Sequence, residues 1–385
     1  MKTSESRFLT THAGSLPRSD ALVALQVAQS RGEAVDARGL ADEIRASTEA
    51  VIAKQADAGI DIANNGEQAR ESFFTYVQHR MTGFGGTSQR PPFQDMIRYP
   101  SWLRLRIPRY QGGVNLTAAP QAQGPVSYAD RTPLDSELAE FAAILNEQES
   151  SFVDTFVTAP SPGIIAAAME DVYYHDIDAY IGALANALKT EYDAIHAAGH
   201  VLQLDCPDLA MERHTYFGER SDEEFLAFVD RVLGAIGDAL ADVPKEAVRM
   251  HVCWGNYNGP HDCDVPLATI LPSLVRARVG ALMLSMANPR HEHEYRLLTP
   301  TSLPDDMLVI AGVIDTTTNY VEHPEVVAER IERIVHAIGD PHRVIAGTDC
   351  GFDTAAGLRD VAEEVVWAKL HALSEGADLA SERLL

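Results

Sequence analysis

Four cysteines in 385 residues are too few for a disulfide scaffold. They stand at Cys206, Cys253, Cys263 and Cys350 with no Cys-x-x-Cys pair, which also removes the zinc-knuckle pattern. Positive charge is scarce as well. Lys and Arg number 31 against 56 Asp and Glu, a formal charge of -25. That balance excludes nucleic acid and anionic membrane as expected partners, because binding phosphates needs a basic surface. No segment offers the long uncharged apolar run that spans a bilayer. The opening MKTSESRFLTTHAGSLPR lacks the apolar stretch of a signal peptide, so the expectation is a cytoplasmic protein whose cysteines stay reduced. Such thiols are free to bind a metal.

What is present is a sizeable apolar fraction, 46%, in a chain long enough for one large barrel with insertions or two ordinary domains. Short apolar runs alternate with longer helical patterns, the rhythm of strand-helix units around a parallel sheet. The expected strands are Phe8–Thr11, Ile60–Ala63, Thr155–Ala159, Val201–Asp205, Val248–Cys253, Ala281–Met286, Leu308–Asp315 and Val344–Thr348. Among the helices, Pro324 opens one at a first-turn position, Val327, Ile331, Ile334 and Ile338 recur at helical spacing, and Gly339 closes it. Asp222–Leu240 and Ile177–Ala198 show the same amphipathic pattern. Residues 73–132 break the rhythm with Gly-Phe-Gly-Gly, Arg-Pro-Pro and Trp102; a stretch this rich in aromatics reads as an ordered lid or interface element. The expected architecture is therefore α/β, a single (β/α)8 TIM barrel over residues 1–385 with an insertion at about 73–132 after the second strand.

Two expected strands end on chemistry. Val248-Arg249-Met250 runs into His251-Val252-Cys253, and Val344-Ile345-Ala346 runs into Gly347-Thr348-Asp349-Cys350-Gly351. Two thiolates and an imidazole are the donor set zinc prefers, and three protein ligands leave a tetrahedral ion one open position. The ordinary fate of a lone histidine at a strand end and of a free cysteine is a hydrogen-bonded or apolar core position. Against that stands their location at the C-terminal edge of a parallel barrel, where active sites collect.

The chain resembles the cobalamin-independent methionine synthases and their single-barrel relatives, which include epoxyalkane:coenzyme M transferase. Thr11-His12-Ala13-Gly14-Ser15-Leu16-Pro17-Arg18 is similar to the family's opening motif, Asn65-Gly66-Glu67 to its Gly-Glu and Leu204-Asp205-Cys206-Pro207 to its Asp-x-Pro. His251-Val252-Cys253 and Asp349-Cys350-Gly351 match its two zinc motifs, and all five occur in the family's order. The resemblance implies zinc held by His251, Cys253 and Cys350, and the ammonium of an amino-acid thiol held by Glu67 and Asp205, with Ser15 also on the substrate. Read alone, Glu67 is equally a helix N-terminal acid.

Three departures matter. Ser285 aligns with a fourth zinc ligand, a glutamate; Thr317 aligns with a general-acid histidine; and the segment from Ala159 to Met169 lacks the tryptophan that stacks on folate. A threonine cannot supply a proton near neutral pH. The segments around Trp254, Asn288 and Thr318 look like the short relatives. The resemblance therefore points first to alkylation of a thiol by an epoxide, of the coenzyme M kind, second to methyl transfer to homocysteine, and third to a non-catalytic zinc- or thiol-binding barrel. His12, His291 and His293 are the candidate acids, and Arg290 is placed to pair with an anionic group such as a sulfonate. His291-Glu292-His293 reads as an exposed charged turn after Pro289 rather than a second metal site. Cys206 and Cys263 lack partners at metal spacing. The expected partners are a small-molecule thiol and an alkyl electrophile or methyl donor, with homo-oligomerisation left open.

Overall fold

In this computed structural model, which describes residues 1–110 and 112–385, the expected strands are buried on both faces, as parallel strands covered by helices must be. In chain order the strands are β1 (Ile62–Ala63), β2 (Phe84–Gly85), β3 (Gln121–Ala122), β4 (Asp154–Pro160), β5 (Val201–Asp205), β6 (Val248–Val252), β7 (Ala281–Ser285), β8 (Leu308–Ile314) and β9 (Val344–Thr348). Seven of them form one sheet in the order β1-β4-β5-β6-β7-β8-β9, every neighbouring pair parallel. The expected strand Phe8–Thr11 forms isolated bridges instead of a ladder. Thr10 bridges Ala346 of β9 and Thr11 bridges Ile62 of β1, so this segment joins the two edges of the sheet. Its hydrogen bonds run both ways, from Thr11 N–H to the Ala346 carbonyl (2.9 Å) and from Ile62 N–H to the Thr10 carbonyl (3.0 Å). The sheet curls into a TIM-like barrel architecture.

Strand alternation decides where the chemistry goes. Leu202, Leu204, Met250, Leu282, Leu284, Val309, Ala311, Val344 and Ala346 join the large outer core under the helices. Phe156, Met283, Ile310 and Ile345 face inward and pack with Leu9, Ala13 and Ile62. Two residues further along the same inward rows stand Thr158, Ser285, Gly312 and Gly347, while β5 and β6 send Gln203, Asp205, Arg249 and His251 inward. The barrel interior is thus apolar at one end and polar at the C-terminal end.

The helices follow from the sequence signals. Pro324–Ile338 has Pro in its first turn and ends on Gly339 at φ 80°, a left-handed conformation that glycine adopts without cost. Asp222–Ala239 begins with a capping box between Ser221 and Glu224. No helix among the described residues is long and apolar enough to cross a membrane.

The segment expected as an insertion contains a 3-10 turn (Thr75–His79), the antiparallel pair β2-β3, and two helices, Gln94–Arg98 and Pro100–Tyr110. Tyr76 anchors it between two guanidinium groups, Arg70 and Arg80, each 4.5 Å from the ring centroid. Both arginines pair with buried Glu137 and Glu191. The two helices rest on the loop after β6: Trp102 Nε1–H donates to the Asn258 carbonyl (3.0 Å), Tyr257 Oη–H to Asp95 (2.5 Å), and Arg98 pairs with Asp262 (2.7 Å).

Candidate metal centre

The three expected ligands meet. Ligand atoms of His251, Cys253 and Cys350 lie within 4.8 Å of one another, all three residues are buried, and the two sulfurs are 3.9 Å apart. His251 and Cys253 share a side because they are two apart on an extended segment. Cys350 reaches them from the loop after β9. That loop is fixed by Asp349, whose carboxylate accepts the N–H groups of Met286, Ala287 and Asn288 (2.8, 2.8 and 2.9 Å) and the Asn288 amide (2.9 Å). Ser285, the residue expected in place of a fourth ligand, donates its hydroxyl to the Asp349 carbonyl (2.7 Å) and so helps hold the same loop.

The electrostatics suit a cation. His251 Nδ1 lies 3.3 Å from Asp205 and Nε2 lies 3.2 Å from the Asp349 carbonyl. Burial disfavours the imidazolium, but the Cys253 thiolate and Asp205 outweigh it and raise His251 to about 9. The Cys350 thiol hydrogen-bonds to Cys253 and lowers it, against the effect of burial, while Cys350 itself is pushed up. The protons crowded here are those a metal would displace. With Nδ1 held by Asp205, loss of the Nε2 proton to a bound metal would leave the lone pair on Nε2, the carboxylate-histidine arrangement that orients a metal ligand. Two soft sulfurs and one imidazole within coordinating reach fit a tetrahedral thiophilic ion with one position open.

Beside the triad lie the two expected amine ligands. Asp205 pairs in register with His251 across β5 and β6. Glu67 follows Gly66, and both are left-handed, at φ 59° and 66°. Such a conformation costs free energy in a glutamate and persists because the surroundings enforce it. Asn64 and Asn65 side chains accept the N–H groups of Gly66 and Glu67 (2.8 and 3.0 Å), and Arg18 donates to the Glu67 carbonyl (3.2 Å). Glu67 Oε1 accepts from Thr158 (2.9 Å), whereas Oε2 is buried without a hydrogen-bond partner. Burial, then Asp205, raise the carboxyl to about 7, opposed by Arg70 and Arg18. Gly14 makes this placement possible: a Cβ there would sit 2.5 Å from Glu67 Oε1. Ser15 stitches the same turn to the metal loop, its carbonyl accepting Phe352 N–H (2.8 Å).

On the other side of the sulfurs opens a cavity of about 190 Å³, lined by Cys253, Cys350, Asn256, Ser285, Arg290 and Thr317 among others. Arg290 stands exposed at its mouth, with one weak contact to the Asp262 carbonyl (3.4 Å). Thr317 donates both N–H and hydroxyl to Asp315 (2.7 and 2.8 Å).

The candidate acids fare differently from expectation. His291 does not lie on an exposed turn: it is 4% exposed, stacked on Trp254 at 3.9 Å, with Nδ1 on Glu294 (2.7 Å) and Nε2 on Asp264 (2.9 Å). The two carboxylates outweigh burial and raise its pKa, and both ring nitrogens are engaged. Within His291-Glu292-His293, His293 is the exposed residue. His12 lies below the site, its Nδ1 accepting Gly14 N–H (3.2 Å) and its Nε2 on Gln55 Oε1 (2.8 Å); burial lowers it to about 3. A neutral ring with both nitrogens used is poorly placed to deliver a proton. Cys206 is fully buried and Cys263 half-buried, and all four cysteines are free.

Residues 8–91 match the family described as cobalamin-independent synthase, catalytic domain. A methionine synthase of Sulfurisphaera tokodaii is 23% identical over 330 residues, 85% of this chain and 79% of that protein. Over most of its length the chain is thus similar to methionine synthases of the cobalamin-independent kind. The relatives it matches differ in activity: the 2-hydroxypropyl-CoM lyase of Xanthobacter autotrophicus is 25% identical over 281 residues, 65% of this chain and 69% of that protein. Among solved structures, a B12-independent methionine synthase from Shewanella sp. W3-18-1, in complex with selenomethionine, superposes with a TM-score of 0.73 at 20% identity, covering 98% of this chain and 99% of that one.

Sequence reasoning missed Thr158, Gln203, Arg249 and Trp254. A signal existed for two of them: Gln203 and Arg249 each precede a site residue, Asp205 or His251, by two positions and therefore face the same way.

Proposed function

We propose that this protein is a zinc-dependent thiol alkyltransferase whose thiol substrate is an amino acid of the homocysteine kind, built on an eight-stave (β/α)8 barrel in which Thr10–Thr11 supplies the remaining stave. The observation that carries the reading is the buried, unpartnered Oε2 of Glu67 beside Asp205 and the His251 triad. A carboxylate oxygen left buried without a donor costs free energy, and an ammonium offers it three. Zinc on His251, Cys253 and Cys350 would hold the substrate sulfur as a thiolate at neutral pH.

The chain's own residues do the rest. Glu67 and Asp205 hold the amino group, fixing the sulfur's direction; the cavity on the far side admits the alkyl donor. The substrate sulfur forms a bond to the alkyl carbon as the carbon's bond to its leaving group breaks. Asp264 and Glu294 keep His291 fixed, and its stacking on Trp254 shapes the wall beside Cys253. Neither His12 nor Thr317 serves as an acid in this scheme.

A second reading is favoured by Arg290 at the cavity mouth and by the likeness to the 2-hydroxypropyl-CoM lyase: an anionic thiol such as coenzyme M attacking an epoxide. The two carboxylates argue against it, since a sulfonate gives them nothing to bind. Calorimetric titration of the zinc-loaded protein decides. Homocysteine is expected to bind at least about tenfold more tightly than coenzyme M, the ratio that one charge-assisted hydrogen bond provides. Binding of coenzyme M alone would reverse the assignment.

A further inference from the structure

Two buried arginines stand one residue removed from the two carboxylates of the amine site. Arg70 donates Nη1–H to the Thr158 hydroxyl (3.0 Å) and carbonyl (2.8 Å), and that hydroxyl donates to Glu67 Oε1 (2.9 Å). Arg249 donates Nε–H to Gln203 Oε1 (2.7 Å), and the Gln203 amide donates to Asp205 Oδ1 (2.7 Å). The pattern is the same on both sides: arginine, neutral relay, carboxylate. Arg70 forms its ion pairs with Glu137 and Glu191, and among the described residues Arg249 forms none.

The neutral residue between charge and countercharge has a physical consequence. A direct arginine-carboxylate pair is bidentate and occupies both oxygens. A hydroxyl or amide occupies one and leaves the other, with most of its charge, for a ligand. Glu67 Oε2 is the oxygen left over on one side. On Asp205, Oδ1 takes Gln203 and His251, and no hydrogen bond among the described residues falls on Oδ2. Each arginine also sets the polarity of its relay. By donating to Gln203 Oε1, Arg249 turns the amide NH₂ toward Asp205; Arg70 does the same for the Thr158 hydroxyl, leaving its proton for Glu67. Both anchors are rigid. Arg249 lies 3.5 Å over the Phe156 ring and also holds Thr11 Oγ1 (3.0 Å) and the His12 carbonyl (2.8 Å), which ties the relay to the turn carrying Gly14.

We infer that Thr158 and Gln203 are positioning residues for the substrate amine: they select which oxygen of Glu67 and Asp205 faces it, and hold the arginine charges at one remove. This rests on the amino-acid thiol reading above. The test titrates zinc-loaded protein with homocysteine and with 4-mercaptobutanoate, the same thiol acid without the amine, after confirming equal zinc content. Wild type is expected to prefer homocysteine. Thr158→Val and Gln203→Met are each expected to weaken homocysteine about tenfold and to leave 4-mercaptobutanoate within about twofold, with Thr158→Ser restoring the preference. Variants that weaken both thiols equally, or neither, overturn the inference. A wild type that does not distinguish the two thiols overturns the amine reading itself. Should Gln203→Met fail to fold, the Thr158 pair, which differs by a hydroxyl, decides alone.

Discussion

Replacing Cys350 by alanine is expected to abolish zinc retention while leaving the fold intact. The variant keeps His251 and Cys253, two donors where the site offers three. Its loop survives, because the Asp349 carboxylate holds four donors from Met286, Ala287 and Asn288 and the Ser285 hydroxyl holds the Asp349 carbonyl. The effect on alkylation is large. A free thiol with a pKa near 8.5 is only about 3% ionised at pH 7, so losing enforced ionisation costs roughly 30-fold. Losing the fixed sulfur position multiplies this, for a total of about 10³-fold or more. Metal analysis after dialysis and thermal unfolding check both halves: zinc should be absent from the variant and unfolding should remain cooperative. Equal zinc in wild type and variant would remove the metal centre from the account.

Glu67→Gln should produce the second largest effect, and its sign depends on pH. Burial raises the Glu67 carboxyl from 4.5 to about 7, with Asp205 adding to the shift. A raised folded-state value means the protonated form is favoured in the fold. Its contribution to stability is fully present below 4.5 and is lost as pH rises through about 7. Glutamine has no charge to bury, so the variant should match wild type in melting temperature at pH 5 and exceed it at pH 8. Binding runs the other way. The ammonium needs an ionised Glu67, so wild-type affinity for homocysteine should rise with pH toward 7 and above, and the variant should lose that part of the dependence together with about 10²-fold in affinity at pH 8. A variant that is more stable yet binds poorly would mark Glu67 as kept for its ligand. Unchanged homocysteine affinity at pH 8 would show that Glu67 touches no amine.

Most of the barrel is legible before any coordinates, because parallel strands covered on both sides must be nearly continuous apolar runs and their boundaries fall where polar residues begin. Val201–Asp205 and Val344–Thr348 coincide with the expected strands. The metal triad is legible for the same reason: strands of a TIM-like barrel deliver their C-terminal residues to one mouth, so His251, Cys253 and Cys350 need only lie at strand ends to converge. What resists reading is contact without periodicity. Thr158 meets Glu67 from 91 residues away, and nothing in its strand pattern says which carboxylate it will face. His291 looks exposed because its sequence neighbours are charged, yet it is buried, held by Glu294 three residues on and by Asp264 from 27 residues away. The segment Phe8–Thr11 has a strand's composition but makes single bridges to each edge, a difference of backbone register that side chains do not encode.

The most direct test of the account is X-ray absorption at the zinc edge of the loaded protein, before and after homocysteine is added. The account predicts two sulfurs and one nitrogen from the protein with a light atom in the open position, and a third sulfur at about 2.3 Å once the thiol binds. An unchanged first shell in the presence of saturating homocysteine, or a shell already closed by four protein ligands, would contradict it.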